Sequence, residues 1–134
     1  MKIESKQVKV SVSVAVKCPN GYVLLKRLSS YGEGSWSFPV GYLKFGESIV
    51  ECAVRETQEE LGVTLDSCKI IETFTEDYFP NNQYITLYCI GETSQNPTIM
   101  EPANSAELLF INDRNLPTPL FCGVEKIFNN YINL

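Results

Sequence analysis

Three glutamates, Glu56, Glu59 and Glu60, stand close together in a segment with helical periodicity. At about 100° per residue they share one side of a helix, beside an apolar stripe. Glu56 and Glu60 form a like-charged i,i+4 pair, and no Lys or Arg stands at a relieving position on that face. Mg²⁺ combines one or two protein carboxylates with waters and substrate phosphates. The cluster therefore suggests either a metal and phosphate site or a solvated acidic face, and these residues alone leave both open.

The absence of histidine restricts the chemistry that the chain can do. Ser-His and Cys-His dyads and His-ligated metals are excluded, so catalysis would use carboxylates, Lys, Tyr, Cys or a hard cation. Five scattered cysteines without a C-x-x-C pair favour buried thiols over a zinc site or a disulfide framework. A formal charge of -5 has the wrong sign for a nucleic-acid or anionic membrane surface, so we expect neither partner.

Length and composition predict a single domain over residues 1–134. A hydrophobic content of 44% with 20% charged residues excludes disordered and fibrous classes. The N-terminus lacks the apolar core of a signal peptide, and no apolar run reaches membrane-spanning length. These features predict a cytoplasmic location.

Alternating patterns predict the strands around the acidic cluster. Residues 8–16 alternate valine with polar or small residues, which predicts a strand with five valines on one face. A turn at Asn20-Gly21 leads into a second strand over residues 22–27. Residues 40–47 are predicted to form a loop. Further strands are predicted over residues 36–38, 70–78, 83–90 and 108–111, and a terminal helix over residues 121–131 with Val124, Ile127, Phe128 and Tyr131 inward.

The helix that carries the glutamates has a marked beginning and end. Ser48 and Glu51 have capping-box spacing, and Gly62 can supply the left-handed residue after the last turn. Arg55 stands about a quarter turn from the carboxylates, so we expect it to turn away from them and to brace the preceding loop. The predicted apolar stripe of this helix consists of Val50, Ala53, Val54, Thr57 and Leu61.

The fixed residues between Gly41 and Val63 resemble the Nudix box, G-x5-E-x7-R-E-U-x-E-E-x-G-U, in which U is a bulky aliphatic residue. Every fixed position is present, except that Thr57 stands where an aliphatic is expected. The similarity continues outside the box, over residues 23–27, 36–39, 43–48 and 115–121. Together these segments resemble the MutT-like, nucleoside-triphosphate-directed branch of the Nudix hydrolases.

The resemblance implies an α/β fold, in which an α/β/α sandwich surrounds a mixed β-sheet. It also implies Mg²⁺- or Mn²⁺-dependent cleavage of a phosphoanhydride bond. By this resemblance Glu56, Glu59 and Glu60 act as the catalytic residues and carry the metals, and one of them helps to activate the attacking water. The family position of Val40 supplies a backbone carbonyl as a further metal ligand. A β-branched residue there would resist a positive φ.

Supporting and substrate-binding roles also follow from the resemblance. Glu47 and Arg55 would form a supporting ion pair. Arg27 matches a position that approaches the substrate phosphates, although a surface arginine at the end of a strand is an equal interpretation. Tyr42 and Lys44 replace family residues, so the base and sugar of the substrate are not implied. A base could stack on one of several aromatic residues, each of which could equally serve in packing: Trp36, Tyr78, Phe79, Tyr84 and Tyr88.

The implied reaction converts a nucleoside triphosphate into a nucleoside monophosphate and pyrophosphate. The partner would then be a small nucleotide, and a homodimer would be ordinary for the family. One alternative is a substrate in which a nucleoside diphosphate is linked to another group, such as ADP-ribose or a nucleotide sugar. Another is a catalytically weak ligand-binding module, against which the three retained glutamates argue.

Overall fold

A mixed β-sheet with one helix against each face forms the framework of the molecule. The computed structural model describes residues 7–79 and 82–134. Its strands are β1 (Gln7–Cys18), β2 (Gly21–Arg27), β3 (Trp36–Ser37), β4 (Val40–Tyr42), β5 (Ser67–Phe79), β6 (Asn82–Glu92) and β7 (Ser105–Ile111), and its helices are α1 (Ile49–Leu61) and α2 (Val124–Tyr131). Neither described helix is long and apolar enough to cross a membrane.

Strand β1 lies at the centre of the sheet, whose order is β3-β2-β1-β6-β5. It runs parallel to β6 over its length, from Gln7 to Lys17, while its antiparallel pairing with β2 involves Lys17 and Cys18 alone. Strand β7 pairs with β2 and β5 pairs with β6, both antiparallel. The turn between β1 and β2 is present, but Gly21 has the positive φ and Asn20 does not.

After this short pairing β1 and β2 separate, and the segment of residues 36–42 crosses between them. Its first residues form β3, which pairs with β2 at Leu25↔Ser37. Its last residues form β4, which pairs with β1 at Ser13↔Val40. We call the region where residues 36–42 lie between β1 and β2 the fork. The predicted loop over residues 40–47 is wrong where β4 forms, because a strand of 3 residues is too short for alternation to reveal.

Apolar clusters on both faces of the sheet confirm the predicted α/β/α sandwich. Val12, Val14 and Val16 of β1 pack with residues of α1, including Ala53 and Leu61. The opposite face of β1 is buried as well, and there Ala15 joins a cluster that contains Val124, Ile127 and Phe128 of α2. Of the five valines predicted to share one face, Val8 near the start of β1 is 59% exposed, so the buried part of that face begins further along the strand.

The two helices differ from prediction in detail. Val50 is 38% exposed, and the fully buried Cys52 takes its place in the apolar stripe of α1. Helix α2 begins at Val124 rather than at Phe121. Tyr131 does not face inward, since it is 39% exposed and its hydroxyl donates to Glu72 at 2.5 Å. The turn predicted between β5 and β6, over residues 80–82, falls partly outside the described residues, and Asn82 already begins β6.

Candidate active site

Helix α1 is fixed at both ends by the predicted caps. The hydroxyl of Ser48 accepts a bond from the backbone N–H of Glu51 at 3.1 Å, and the Glu51 carboxylate accepts one from the Ser48 N–H at 2.9 Å. Gly62 ends the helix with φ 68°, and its N–H donates to the carbonyl of Gln58. Both ends of the segment that carries the glutamates are therefore stabilised by local bonds.

Thr57 replaces an aliphatic residue of the box without leaving a buried polar group unpaired. Its side chain is fully buried, and its hydroxyl donates to the carbonyl of Ala53 at 2.8 Å. This bond within the helix satisfies the hydroxyl, so its burial leaves no polar atom of Thr57 unpaired. The departure from the box is therefore compatible with the same helix packing.

Arg55 binds the acidic residues instead of turning away from them. Its Nε and Nη2 donate to the two oxygens of Glu47 at 3.0 and 2.7 Å. Its Nη1 donates to Glu56 at 2.7 Å and to Glu59 at 3.2 Å, and Nη2 also reaches the carbonyl of Tyr42 at 3.0 Å. The sequence-based expectation that no cation relieves this acidic face is therefore wrong, because the arginine side chain is long and forked.

The contacts of Arg55 change the pKa values of the carboxyl groups that it binds. The hydrogen bonds from Arg55 lower the pKa of Glu47, whose side chain is 14% exposed, to about 2. Burial instead raises the pKa of Glu56, whose side chain is 12% exposed, and the bond from Arg55 opposes that rise. The guanidinium thus stabilises negative charge on the loop before α1 and on the helix itself.

A glycine of the box is required at position 41 by direct contact. The Glu56 carboxylate packs against Gly41, so closely that a Cβ atom there would overlap all three of its terminal atoms. Gly41 does not need its freedom of φ, since its backbone is the extended one of β4. The glycine provides space for the carboxylate and so links the fork to helix α1.

Glu60 is the most unusual carboxyl group of the cluster. Its Oε2 is buried and has no hydrogen-bond partner among the described residues, while the backbone of Val40 acts to lower its pKa. Burial, reinforced by the charges of Glu56 and Glu101, raises its pKa to about 9. A buried oxygen without a partner costs free energy unless a ligand satisfies it.

Together with Gly41, the side chains of Glu56, Glu59 and Glu60 line a cleft of about 330 Å³ at the fork, which we call the acidic cleft. Glu101, from the segment between β6 and β7, also lines it, although the sequence analysis missed this residue. Glu101 stands far from the box in sequence and belongs to no motif, so no sequence signal pointed to it. The side chains and backbone around the cleft belong to Leu25, Arg27, Ser29, Ser37, Val40, Gly41, Tyr42, Glu56, Glu59, Glu60, Glu101, Asn104 and Ser105.

A second cavity, of about 240 Å³, opens beside the acidic cleft, and we call it the aromatic pocket. Its rings belong to Tyr31, Tyr42, Tyr84 and Phe121. Tyr42 and Tyr84 lie nearly parallel, with their hydroxyls 3.3 Å apart. The two cavities share five lining residues: Arg27, Ser29, Val40, Gly41 and Tyr42.

One of these four rings was expected from the sequence. Tyr84 lines the pocket, whereas Trp36 and Tyr88 pack in the apolar cluster that contains Phe128 of α2, the alternative that the sequence left open for them. The side chains of Tyr78 and Phe79 lie outside the described part of the chain. Tyr31, Tyr42 and Phe121 were missed, because spacing along the chain does not reveal which loops meet.

Arg27 lies at the boundary between the two cavities. Its Nε donates to the carbonyl of Tyr31 at 3.1 Å, and its Nη2 donates to the hydroxyl of Ser29 at 3.0 Å. The guanidinium carbon lies 4.1 Å from the centre of the Phe121 ring. The sequence allowed a phosphate contact or an ordinary strand-end arginine, and the structure places Arg27 at the end of β2, where it lines both cavities.

The donor set of the acidic cleft fits a hard divalent cation. Carboxylate oxygens and a backbone carbonyl are the ligands that Mg²⁺ prefers, and the buried, unpartnered Oε2 of Glu60 is available for such a bond. Within residues 7–79 and 82–134, no three His, Cys, Asp or Glu side chains already converge around one metal position. The bonds from Arg55 to Glu56 and Glu59 hold two of the carboxylates in their present orientation.

Known proteins resemble this chain in sequence and fold. An 8-oxo-dGTP diphosphatase of Proteus vulgaris is 33% identical over 82 residues, which cover 59% of this chain and 71% of the relative. An ADP-ribose pyrophosphatase of Methanocaldococcus jannaschii is 28% identical over 129 residues, covering 92% and 72%. A MutT NUDIX hydrolase of Burkholderia pseudomallei has the same fold, with a TM-score of 0.86 at 22% identity over 94% of this chain and 99% of that one.

The family model of the NUDIX domain matches residues 8–112, which include all of β1 except Gln7, the fork, α1 and the whole acidic cleft. The match therefore covers most of the chain and all the residues of the box. The chain belongs to the Nudix hydrolases, a family of enzymes that cleave phosphoanhydride bonds.

Proposed function

We propose that the chain hydrolyses nucleoside triphosphates to nucleoside monophosphates and pyrophosphate, with Mg²⁺ as the cofactor and Mn²⁺ as a substitute. The observation that carries this proposal is that the aromatic pocket and the acidic cleft lie side by side, with Arg27 lining both. An aromatic pocket suits a base, an acidic cleft suits metal-bound phosphates, and a nucleotide has these two parts at its two ends.

The residues of the cleft would divide the work as follows. Glu56, Glu59 and Glu60 would hold the metal, together with the backbone carbonyl of Val40. A divalent cation bound there supplies a water of lowered pKa and neutralises charge on the phosphates and the leaving group. One of the three glutamates would take a proton from the attacking water. This scheme needs no histidine, and the chain has none.

Three further side chains would support these groups. Arg55 and Glu47 would keep the loop before α1 and the carboxylates of the helix in fixed relation, through the bonds described above. Arg27 would hold the phosphates at the boundary between pocket and cleft. The proposed mechanism thus assigns binding to β2 and chemistry to α1.

A second candidate substrate is ADP-ribose, in which a nucleoside diphosphate is linked to another sugar. The similarity to the ADP-ribose pyrophosphatase extends over 129 residues, more of the chain than the 82 residues matched by the 8-oxo-dGTP diphosphatase. The box fixes the metal site and leaves the leaving group open, so the two candidates share one acidic cleft.

The test is a panel of nucleoside triphosphates, ADP-ribose and nucleotide sugars, incubated with Mg²⁺ and analysed by product identity. We expect pyrophosphate from the triphosphates and no activity after exhaustive chelation. Release of orthophosphate alone, or cleavage of ADP-ribose without any of the triphosphates, would contradict the triphosphate proposal. Full turnover after chelation would contradict the metal mechanism.

The remaining proposals concern the whole chain. We propose a single domain over residues 1–134, a cytoplasmic location and a homodimer. The five cysteines support the location, since they are all free thiols, as a reducing compartment requires. Light scattering on the purified protein tests the homodimer, and a monomeric mass at micromolar concentration would contradict it.

A further inference from the structure

The guanidinium of Arg27 is held from two directions. Its edge donates to the carbonyl of Tyr31 and the hydroxyl of Ser29, at 3.1 and 3.0 Å. The ring of Phe121 lies 4.1 Å from its central carbon, close enough for a cation–π contact. Phe121 belongs to the segment between β7 and α2, far from Arg27 in sequence, so this contact joins two separate parts of the chain.

Phe121 is itself fixed in place. Its backbone N–H donates to the carbonyl of Trp36 at 2.9 Å, and the N–H of Trp36 donates to the carbonyl of Pro119 at 2.9 Å. Its ring meets that of Tyr31 edge to face, with centres 5.4 Å apart. Gly32 allows this close approach, since a Cβ there would come within 2.7 Å of the Phe121 ring. The backbone of Phe121 is thus bonded to β3, and its ring is covered by the loop after β2.

We propose that Phe121 is a positioning residue, which holds Arg27 at the boundary of the two cavities so that its guanidinium meets the phosphates of a nucleotide. This inference rests on the proposed nucleotide hydrolase function. An arginine side chain loses considerable rotamer freedom when it is ordered, and an aromatic partner already in contact reduces the part of that loss that falls on substrate binding. Planar guanidinium groups pack on ring faces while their N–H donors lie in the plane.

The contact should affect binding more than chemistry. Arg27 lies at the entrance to the acidic cleft and acts on phosphates in the bound substrate as well as in the transition state, so its loss removes uniform binding. Replacing Phe121 by leucine keeps the apolar bulk and removes the ring. We expect this variant to raise KM for a nucleoside triphosphate by about tenfold, within the range of partly desolvated cation–π contacts, with kcat changed less than about twofold.

Two variants provide the controls. Phe121→Tyr keeps the ring and should retain a KM close to that of the wild type, since tyrosine also accepts a cation on its face. Phe110→Leu makes the same chemical change at a half-buried phenylalanine of β7 that lines neither cavity, and it should leave KM unchanged. Melting temperatures of all variants identify any general loss of structure.

A double-mutant cycle with Arg27→Gln separates positioning from direct contact with the base. If Phe121 acts through Arg27, Phe121→Leu should raise KM in the wild type and have almost no effect in the Arg27→Gln background. An equal rise in both backgrounds would show that the ring binds substrate itself and would overturn the inference. So would an unchanged KM in Phe121→Leu, or a fall in kcat alone.

The same cycle is repeated as binding of an α,β-methylene nucleoside triphosphate in the presence of Mg²⁺, measured by calorimetry. The affinity of Phe121→Leu should fall by about the same factor as KM rises. If the wild-type protein binds the analogue and cleaves triphosphates while Phe121→Leu equals it, the inference fails and the proposed function stands. If the wild type neither binds nor cleaves them, the proposed function fails and the inference falls with it.

Discussion

The acidic cleft and the aromatic pocket share a wall but are built in different ways. The cleft takes its glutamates mainly from one helix, which is capped at both ends and tied to the preceding loop by Arg55. The pocket gathers single rings from β4, β6, the loop after β2 and the segment before α2. The cleft therefore depends on a continuous stretch of sequence, and the pocket depends on how distant segments meet.

This difference separates two kinds of property. The residues of the cleft constrain one another, since Arg55 bonds to three carboxylates and Gly41 leaves room for one of them. Changes there should mainly lower turnover. The rings of the pocket contact one another in two pairs, Tyr42 with Tyr84 and Tyr31 with Phe121, but they carry no charge, so changes there should mainly alter the affinity for substrate. The following changes test this division.

The largest effect is expected from Glu60→Gln. Changes in groups that merely support a metal ligand cost about 10- to 100-fold in activity, so loss of the ligand itself should lower kcat by at least about a hundredfold. The amide is close in shape, so the fold should persist. Steady-state kinetics at saturating Mg²⁺ measure the effect. Glu51→Gln is the matched control, because a glutamine can still serve the capping box, and equal damage in both variants would contradict the site.

Gly41→Ala should have the next largest effect. The added methyl group displaces the Glu56 carboxylate, and misplacement of a catalytic group by about 1 Å can cost a hundredfold in rate. Stability should change little, because the atoms that must move form the end of a flexible side chain. Denaturant unfolding and kcat are measured on the same preparation. A stability loss with an unchanged rate would mean that Gly41 serves packing alone.

Tyr42→Ala tests the pocket and should have a smaller effect of a different kind. Tyr42 is 53% exposed at the rim, so removing its ring should raise KM about fivefold, at the low end for base stacking, with kcat retained. Tyr131→Ala removes a ring of similar exposure, 39%, on the far helix and should leave KM unchanged. A fall in kcat without a change in KM would break the division between pocket and cleft.

The last change leaves the kinetics aside and concerns the pH dependence of stability in metal-free buffer. The pKa of Glu60 is about 9 in the folded protein, against an ordinary value of 4.5 that applies in the unfolded chain. Between pH 4.5 and 9 the folded protein therefore retains a proton that the unfolded chain releases. Stability from this group is therefore fully present below pH 4.5 and declines as the pH rises towards 9. Urea unfolding from pH 5 to 8 should show a shallower decline in Glu60→Gln. Identical slopes would contradict the buried, protonated carboxyl.

The same contrast explains what the sequence could predict. The caps of α1, the position of its glutamates and the sandwich fold follow from local patterns and from a resemblance carried by many fixed residues. Arg55 was misplaced because helical angles describe Cα directions, whereas its guanidinium extends far enough to reach Glu56 and Glu59. Strand β4 was missed because it pairs for 3 residues with a strand distant in sequence.

Residues that act through long-range proximity could not be predicted. Glu101, Tyr31 and Phe121 belong to no local pattern and reach the cavities because loops fold over the fork. The absence of a positive φ at Val40 shows how tertiary structure removes an apparent conflict: the residue lies in an extended strand, which a β-branched side chain favours. Local sequence thus predicts the helix that holds the carboxylates better than it predicts the pocket beside it.

The fork also bears on how such a protein can change during evolution. Strand β4 is joined to β1 at three register positions, whereas β1 and β6 pair at eleven. Loops that begin and end at the fork can lengthen at small entropic cost, because closure entropy rises slowly with loop length. Insertions there would leave the β1–β6 ladder and the caps of α1 intact. New leaving groups and new bases could therefore be acquired by remodelling loops while the hydrolytic machinery is inherited unchanged.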